Sequence, residues 1–176
     1  EITQPTKTEE TVISTHECGH ALLAALVPEA PRPEKVTIEG EDEGFAFYTK
    51  LDQSAIGIIR TGAEVRADIA VSLGGRGAER LCFGKVSTGA SSDLHQATHV
   101  ARLMVEAWGM GRSQEFCYVE TNQGYERRRL SDNREQEIDE DVHQILEEER
   151  ARVHALLVEH REVLEDMAVL LKEKRG

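Results

Sequence analysis

The chain has 176 residues, with 21 Lys and Arg against 33 Asp and Glu and a formal charge of -12. That length bounds it to one domain, or one with a small helical appendage, large enough to bury a sizeable core. The acidic balance argues against a nucleic-acid backbone as partner. Cys18, Cys82 and Cys117 are odd in number and widely spaced, which is no disulfide framework and fits a reducing compartment. No run approaches the roughly 18 apolar residues of a membrane span, so this chain is expected to be soluble. Because it begins at Glu1, it is expected to be cut from something longer. Neither the P-loop pattern nor a helix-opening G-x-G-x-x-G occurs, which excludes those two routes to nucleotide binding.

The first predicted element is a helix over 6–27. Thr6 followed by Glu9 is a capping-box pattern, and Pro28 supplies the stop. It carries H-E-x-x-H as His16, Glu17 and His20. At about 100° per residue both histidines share one face with Val12, Ile13, Leu23 and Val27, so the imidazoles are expected to be buried. Histidines on successive turns can grip one metal ion through a nitrogen each. Glu17 points to one side, where it can reach a metal-bound water without being a ligand. The bland reading is a buried helix whose histidines bond to backbone carbonyls. Cys18 lies well around the helix and reads as packing.

After a stiff connection with prolines 28, 31 and 33, two short runs, Lys35 to Glu39 and Phe45 to Thr49, read as a hairpin or two neighbouring strands. Gly44 leaves the second run's backbone approachable. Residues 61–83 form a second helical segment whose LGGRGAE run, Leu73 to Glu79, is costly in a helix at about 1 kcal/mol per glycine. Glycine there implies close approach to another helix, most simply the one bearing the histidines, or else a break between two shorter helices.

A Ser- and Gly-rich loop, 86–94, leads into a helix over 92–108. Leu94, Ala97, Ala101, Met104, Val105 and Trp108 take one face, and His95, His99, Arg102 and Glu106 the other. The His95 and His99 pair thus sits in the composition of a solvated face. Asp93, beside the apolar face in the first turn, is either an inward-aimed ligand candidate or an N-terminal cap or dipole partner. Phe116 to Val119 is a possible further strand, and Tyr125 to Leu130 a loop whose arginines pair with carboxylates. Residues 131–160 read as a long helix. Val163, Leu164, Met167, Leu170 and Leu171 continue the pattern in a last one. The expected fold is mostly α with a small β-sheet, the H-E-x-x-H helix packed against further helices, a core over 1–130 and a C-terminal helical arm over 131–176.

With these residues in view the chain resembles the peptidase domain of the FtsH family of membrane-anchored AAA zinc metalloproteases. The shared signatures are HECGHA (His16 to Ala21), LGGRGAE with Phe83 and Gly84, STGASSDL (Ser87 to Leu94), and WGM (Trp108 to Met110), in the family's order. The resemblance implies Zn2+ bound by His16, His20 and Asp93, with Glu17 as general base. It implies a substrate-binding edge strand at Gly44, Phe45, Ala46, Phe47, Tyr48 and Thr49. It also implies unfolded polypeptide substrates, an AAA ATPase module absent from this chain, a homo-hexameric ring, and a place on the cytoplasmic side of a membrane within a full-length protein. Cys18 departs from the family's usual alanine and Arg80 from its usual acidic residue.

The activity so implied is zinc-dependent endoproteolysis by an H-E-x-x-H site with Asp as third ligand. Glu17 would deprotonate a zinc-activated water and pass the proton to the leaving amine. A peptide added to the 44–49 edge would be gripped by its backbone. The alternatives are a catalytically silent assembly or binding module on the same fold and a metal-free helical domain.

Overall fold

The computed structural model describes residues 5–38, 48–52, 54, 57–112 and 130–175. Helix α1, Lys7–Leu26, starts on the expected capping box. The Thr6 side chain accepts from the Glu9 amide, and the Glu9 carboxylate accepts from the Thr6 amide at 2.7 Å. Two strands follow, β1 at Pro33–Thr37 and β2 at Tyr48–Leu51, then α2 at Gly62–Phe83, α3 at Ser91–Glu106, α4 at Asp132–Glu159 and α5 at Arg161–Lys174. The result is a mostly helical domain with a small sheet, as the sequence predicts.

Strands β1 and β2 pair antiparallel, Val36 opposite Thr49 and Thr37 opposite Tyr48, with an irregularity between Pro33 and Lys35. The described strands extend past the expected bounds. The first begins at Pro33, a position proline tolerates at the start of an edge strand, and the second continues through Leu51. Residues 39–47, which include Gly44, Phe45, Ala46 and Phe47, lie outside the described residues. So do the expected strand Phe116 to Val119 and the loop residues Tyr125 to Arg129.

Helix α2 is continuous, which overturns the alternative of a break at its glycines. They serve close approach. A Cβ at Gly19 would lie 2.5 Å from the Gly74 carbonyl oxygen, and one at Gly74 would lie 2.7 Å from that of Gly19, so α1 and α2 meet backbone to backbone. The helix ends on Gly84 at φ 63°, in the left-handed region that suits glycine at this position.

Two apolar cores flank α2. One gathers Leu22, Leu23, Val27 and Ile38 with Val71, Ala78, Val153, Leu157, Leu164 and Leu171. The other joins Val65 and Ile69 to Ala97, Ala101, Met104 and Val105 of α3 and to Ile138, Val142 and Ile145 of α4. At 28 residues, about 42 Å, α4 is long enough to contribute to both. Its cap is Ser131, which accepts from the Arg134 amide. Three expected core positions are exposed instead, Trp108 at 47%, Val163 at 47% and Leu170 at 54%. Helix α3 stops at Glu106, before Trp108 could complete its face. On α5 the buried stripe is the narrower Leu164, Ala168 and Leu171. The end of α5 is tied back, since the Arg175 carbonyl accepts from the Ile38 amide at 3.1 Å and its guanidinium meets Glu10 at 3.1 Å.

Candidate metal centre

His16 and His20 stand one turn apart on α1, their ring centroids 4.7 Å apart and their planes at 77°. Both are buried, and each ring is oriented by a partner on α2. His20 Nδ1 lies 2.7 Å from the Val71 carbonyl oxygen. A carbonyl only accepts, so Nδ1 carries the hydrogen. His16 Nδ1 lies 2.6 Å from Glu79 Oε1. Glu79, 1% exposed, is itself held by the Ser87 amide at 2.5 Å and the Ser87 hydroxyl at 3.0 Å.

These anchors turn both Nε2 atoms toward one point. They are 3.0 Å apart, and Asp93 Oδ2 lies 3.0 Å from that of His16 and 3.4 Å from that of His20. With each Nδ1 committed as donor, neutral rings present lone pairs at Nε2, and a carboxylate has none but acceptor oxygens. With the rings neutral, three lone-pair atoms face one point, which positive charge must bridge, either a proton held on Nε2 against Asp93 or a metal cation. His16, His20 and Asp93 each offer one ligand atom, all within 4.8 Å of one another. Gly75 on α2 leaves that spot open, because a Cβ there would come within 2.5 Å of His16 Nε2 and 2.6 Å of His20 Nε2.

The electrostatics point the same way. Burial works to lower the His16 pKa, but hydrogen bonds to Asp93 and Glu79 outweigh it and hold the imidazole above its ordinary value. Partial burial likewise opposes ionisation of Asp93, yet its hydrogen bonds to His16 and His20 hold the carboxyl well below the usual range. Burial pushes the Glu17 carboxyl up, against the opposing pull of His20 and His16. The Cys18 thiol, 2% exposed, is pushed up to about 12 by burial and then by Glu17, which suits packing and not nucleophilic chemistry.

Glu17 accepts a hydrogen bond from the Thr49 hydroxyl at 3.0 Å and borders a cleft of about 370 Å³. Val12 and Ile13 of α1 line it together with Tyr48, Thr49 and Leu51 of the sheet, and His16, His20 and Asp93 lie within it.

The sequence profile of peptidase family M41 matches residues 3–175. The chain belongs to peptidase family M41. The ATP-dependent zinc metalloprotease FtsH of Chloroflexus aggregans is 37% identical over 181 residues, covering 96% of this chain and 27% of that protein. The proteins of the same name from Veillonella parvula and Thermus thermophilus are 38% and 37% identical, covering 90% and 93% of this chain but 26% and 27% of their own lengths. The chain thus spans about a quarter of the length of the curated relatives it matches. The FtsH resemblance carried by the four motifs is borne out.

Within this M41 fold, His16, His20, Asp93 and Glu17 converge on one cleft. Asp93 is not the helix cap, for the N-cap position is Ala90 and no side-chain cap bond is made there. His95 and His99 are exposed, as their solvated-face setting predicts. Of the expected substrate strand, Tyr48 and Thr49 line the cleft, while Gly44 to Phe47 lie outside the described residues. Sequence reasoning assigned no role to the Glu79 carboxylate, the Val71 carbonyl or the Thr49 hydroxyl. Only Glu79 had a signal, its place at the end of LGGRGAE.

Proposed function

We propose that this chain is a zinc-dependent endopeptidase that hydrolyses peptide bonds of unfolded proteins, as the proteolytic part of an ATP-dependent FtsH-like protease. The observation that carries this reading is the convergence of two imidazole Nε2 atoms and one carboxylate oxygen beside a buried glutamate. Two His and one Asp suit zinc better than calcium or magnesium, so His16, His20 and Asp93 would hold the ion. Glu79 and the Val71 carbonyl would fix the ring orientations, as outer partners of ligating histidines do. Bound there, zinc supplies Lewis acidity to the attacking water and the scissile carbonyl.

Glu17 takes the proton from that water and returns it to the leaving amine. Its burial fits both halves of the task, since a raised carboxyl pKa lies nearer the working pH of an acid and base. The substrate backbone lies in the cleft against the Tyr48–Thr49 stretch, which recognises main chain and therefore gives broad specificity.

The relatives are named ATP-dependent, which supports an AAA ATPase module as partner; a homo-hexameric ring on the cytoplasmic side of a membrane is the further part of the proposal. No described helix is long and apolar enough to cross a membrane, which fits an anchor elsewhere in such a protein. The decisive experiment measures zinc content and digestion of a loosely folded protein, with and without chelator, for the wild type and Glu17→Gln. The wild type should bind zinc and cleave only when loaded. Glu17→Gln should keep its zinc and lose about 10²- to 10⁴-fold in rate. A wild type free of zinc, or a variant with undiminished activity, would defeat the proposal.

A further inference from the structure

We infer that Thr49 is a positioning residue for Glu17, its hydroxyl steering the carboxylate before proton uptake and remaining hydrogen-bonded after it. The inference rests on the protease reading above. Thr49 sits on β2 opposite Val36, and its Oγ1 lies 2.9 Å from the main-chain oxygen of Glu17 and 3.0 Å from Glu17 Oε2. Thr49 is thus a strand residue whose side chain touches both the base and the backbone that carries it.

A hydroxyl has one hydrogen and two lone pairs. While Glu17 is ionised both neighbours are acceptors, and donation to Oε2 fixes that oxygen and leaves the other for the cleft. Once a proton has moved from the attacking water to the cleft-facing oxygen of Glu17, Oε2 becomes the carbonyl oxygen of the acid and still accepts from the Thr49 hydroxyl, so the new O–H stays aimed at the cleft. The heavy atoms need not move between the two states. Thr49 neither gains nor loses a proton over the cycle, because the one held by Glu17 departs with the amine. Glu17 is 7% exposed, so water is a poor substitute for the hydroxyl, and a buried carboxylate oxygen deprived of its donor is destabilised. The arrangement also couples the base to the strand against which the substrate lies.

Two substitutions separate the hydroxyl from the shape of the side chain. Thr49→Val keeps the branched outline and strand preference and removes the O–H, while Thr49→Ser keeps the O–H and removes the methyl. With zinc-loaded protein and a permanently unfolded carboxymethylated protein as substrate, Thr49→Val should lower kcat about 10- to 100-fold with KM and zinc content unchanged. Thr49→Ser should restore most of kcat. Wild-type kcat in Thr49→Val, or equal losses in both variants, would overturn the inference, since the hydroxyl would then not be the active part. A second measurement needs no turnover. In the metal-free wild type the Thr49 hydroxyl proton should give a slowly exchanging NMR signal with a cross-peak to the Glu17 side chain, and fast exchange would count against it. A wild type that fails to cleave would overturn the protease reading, while the NMR signal still decides whether Thr49 holds Glu17.

Discussion

Gly75→Ala places a methyl group against the atoms proposed to face zinc. The new carbon would sit 2.5 Å from His16 Nε2, 2.6 Å from His16 Cε1 and 2.6 Å from His20 Nε2. Non-bonded carbon prefers roughly 3.5–4.0 Å, so the rings must retreat by about 1 Å. They cannot do so freely, because Nδ1 of His16 is held at 2.6 Å by Glu79 and that of His20 at 2.7 Å by Val71. Disturbing the support of ligating histidines costs about 10- to 100-fold in metal affinity, and displacing the ligand atoms themselves belongs at the upper end. A 100-fold weaker site gives up about 2.7 kcal/mol of zinc-dependent stabilisation at saturating metal. The metal-free protein should respond differently, since alanine is favoured over glycine in a helix by about 1 kcal/mol, which offsets part of the crowding. Chelator competition for zinc affinity, with thermal unfolding recorded with and without zinc, reads both effects. The wild type should gain Tm on adding zinc, and Gly75→Ala should gain little. Wild-type zinc affinity in the variant would refute the placement of the ion between these rings.

Glu79→Gln should weaken zinc binding about 10- to 100-fold, because an amide cannot accept from both His16 Nδ1 and the Ser87 amide as the carboxylate does; unchanged affinity in the chelator assay would remove Glu79 from the support of His16. Leu157→Ala empties a fully buried position shared by α4 and the α1–α2 pair, and urea unfolding should show a loss of about 2–5 kcal/mol. A loss within about 0.5 kcal/mol, typical of a surface site, would mean that α4 does not contribute to that core. Hydrogen bonds from the Thr61 amide and then the Thr61 hydroxyl hold the Glu64 carboxyl below its ordinary pKa. A depressed folded pKa gives stability that is present above the unfolded value and lost as pH falls through the folded one. The stability difference between wild type and Glu64→Gln should therefore shrink on going from about pH 6 to about pH 3, and a difference constant across that window would contradict the capping role.

Local chemistry alone determined much of this protein. The capping box at Thr6 and Glu9, the 3.6-residue period that puts His16 and His20 on one face, and the serine before α4 all act within a turn or two of chain, so they could be read without a partner in view. Segments with a wide apolar face, such as α3, were read almost to their ends. Isolated choices were not. Whether the glycines of LGGRGAE break a helix or let another approach depended on the Gly19–Gly74 crossing, and glycine is compatible with either outcome. Whether Asp93 caps α3 or meets the imidazoles depended on a contact 77 residues distant in sequence. The orientation of His16 depended on Glu79, 63 residues away, and the Thr49 contact to Glu17 spans 32. Periodicity names the face a side chain occupies; only packing of α1 against α2, α3 and the sheet sets which atoms meet there, because a hydrogen bond or a ligand distance is decided by tenths of an ångström that no residue spacing encodes.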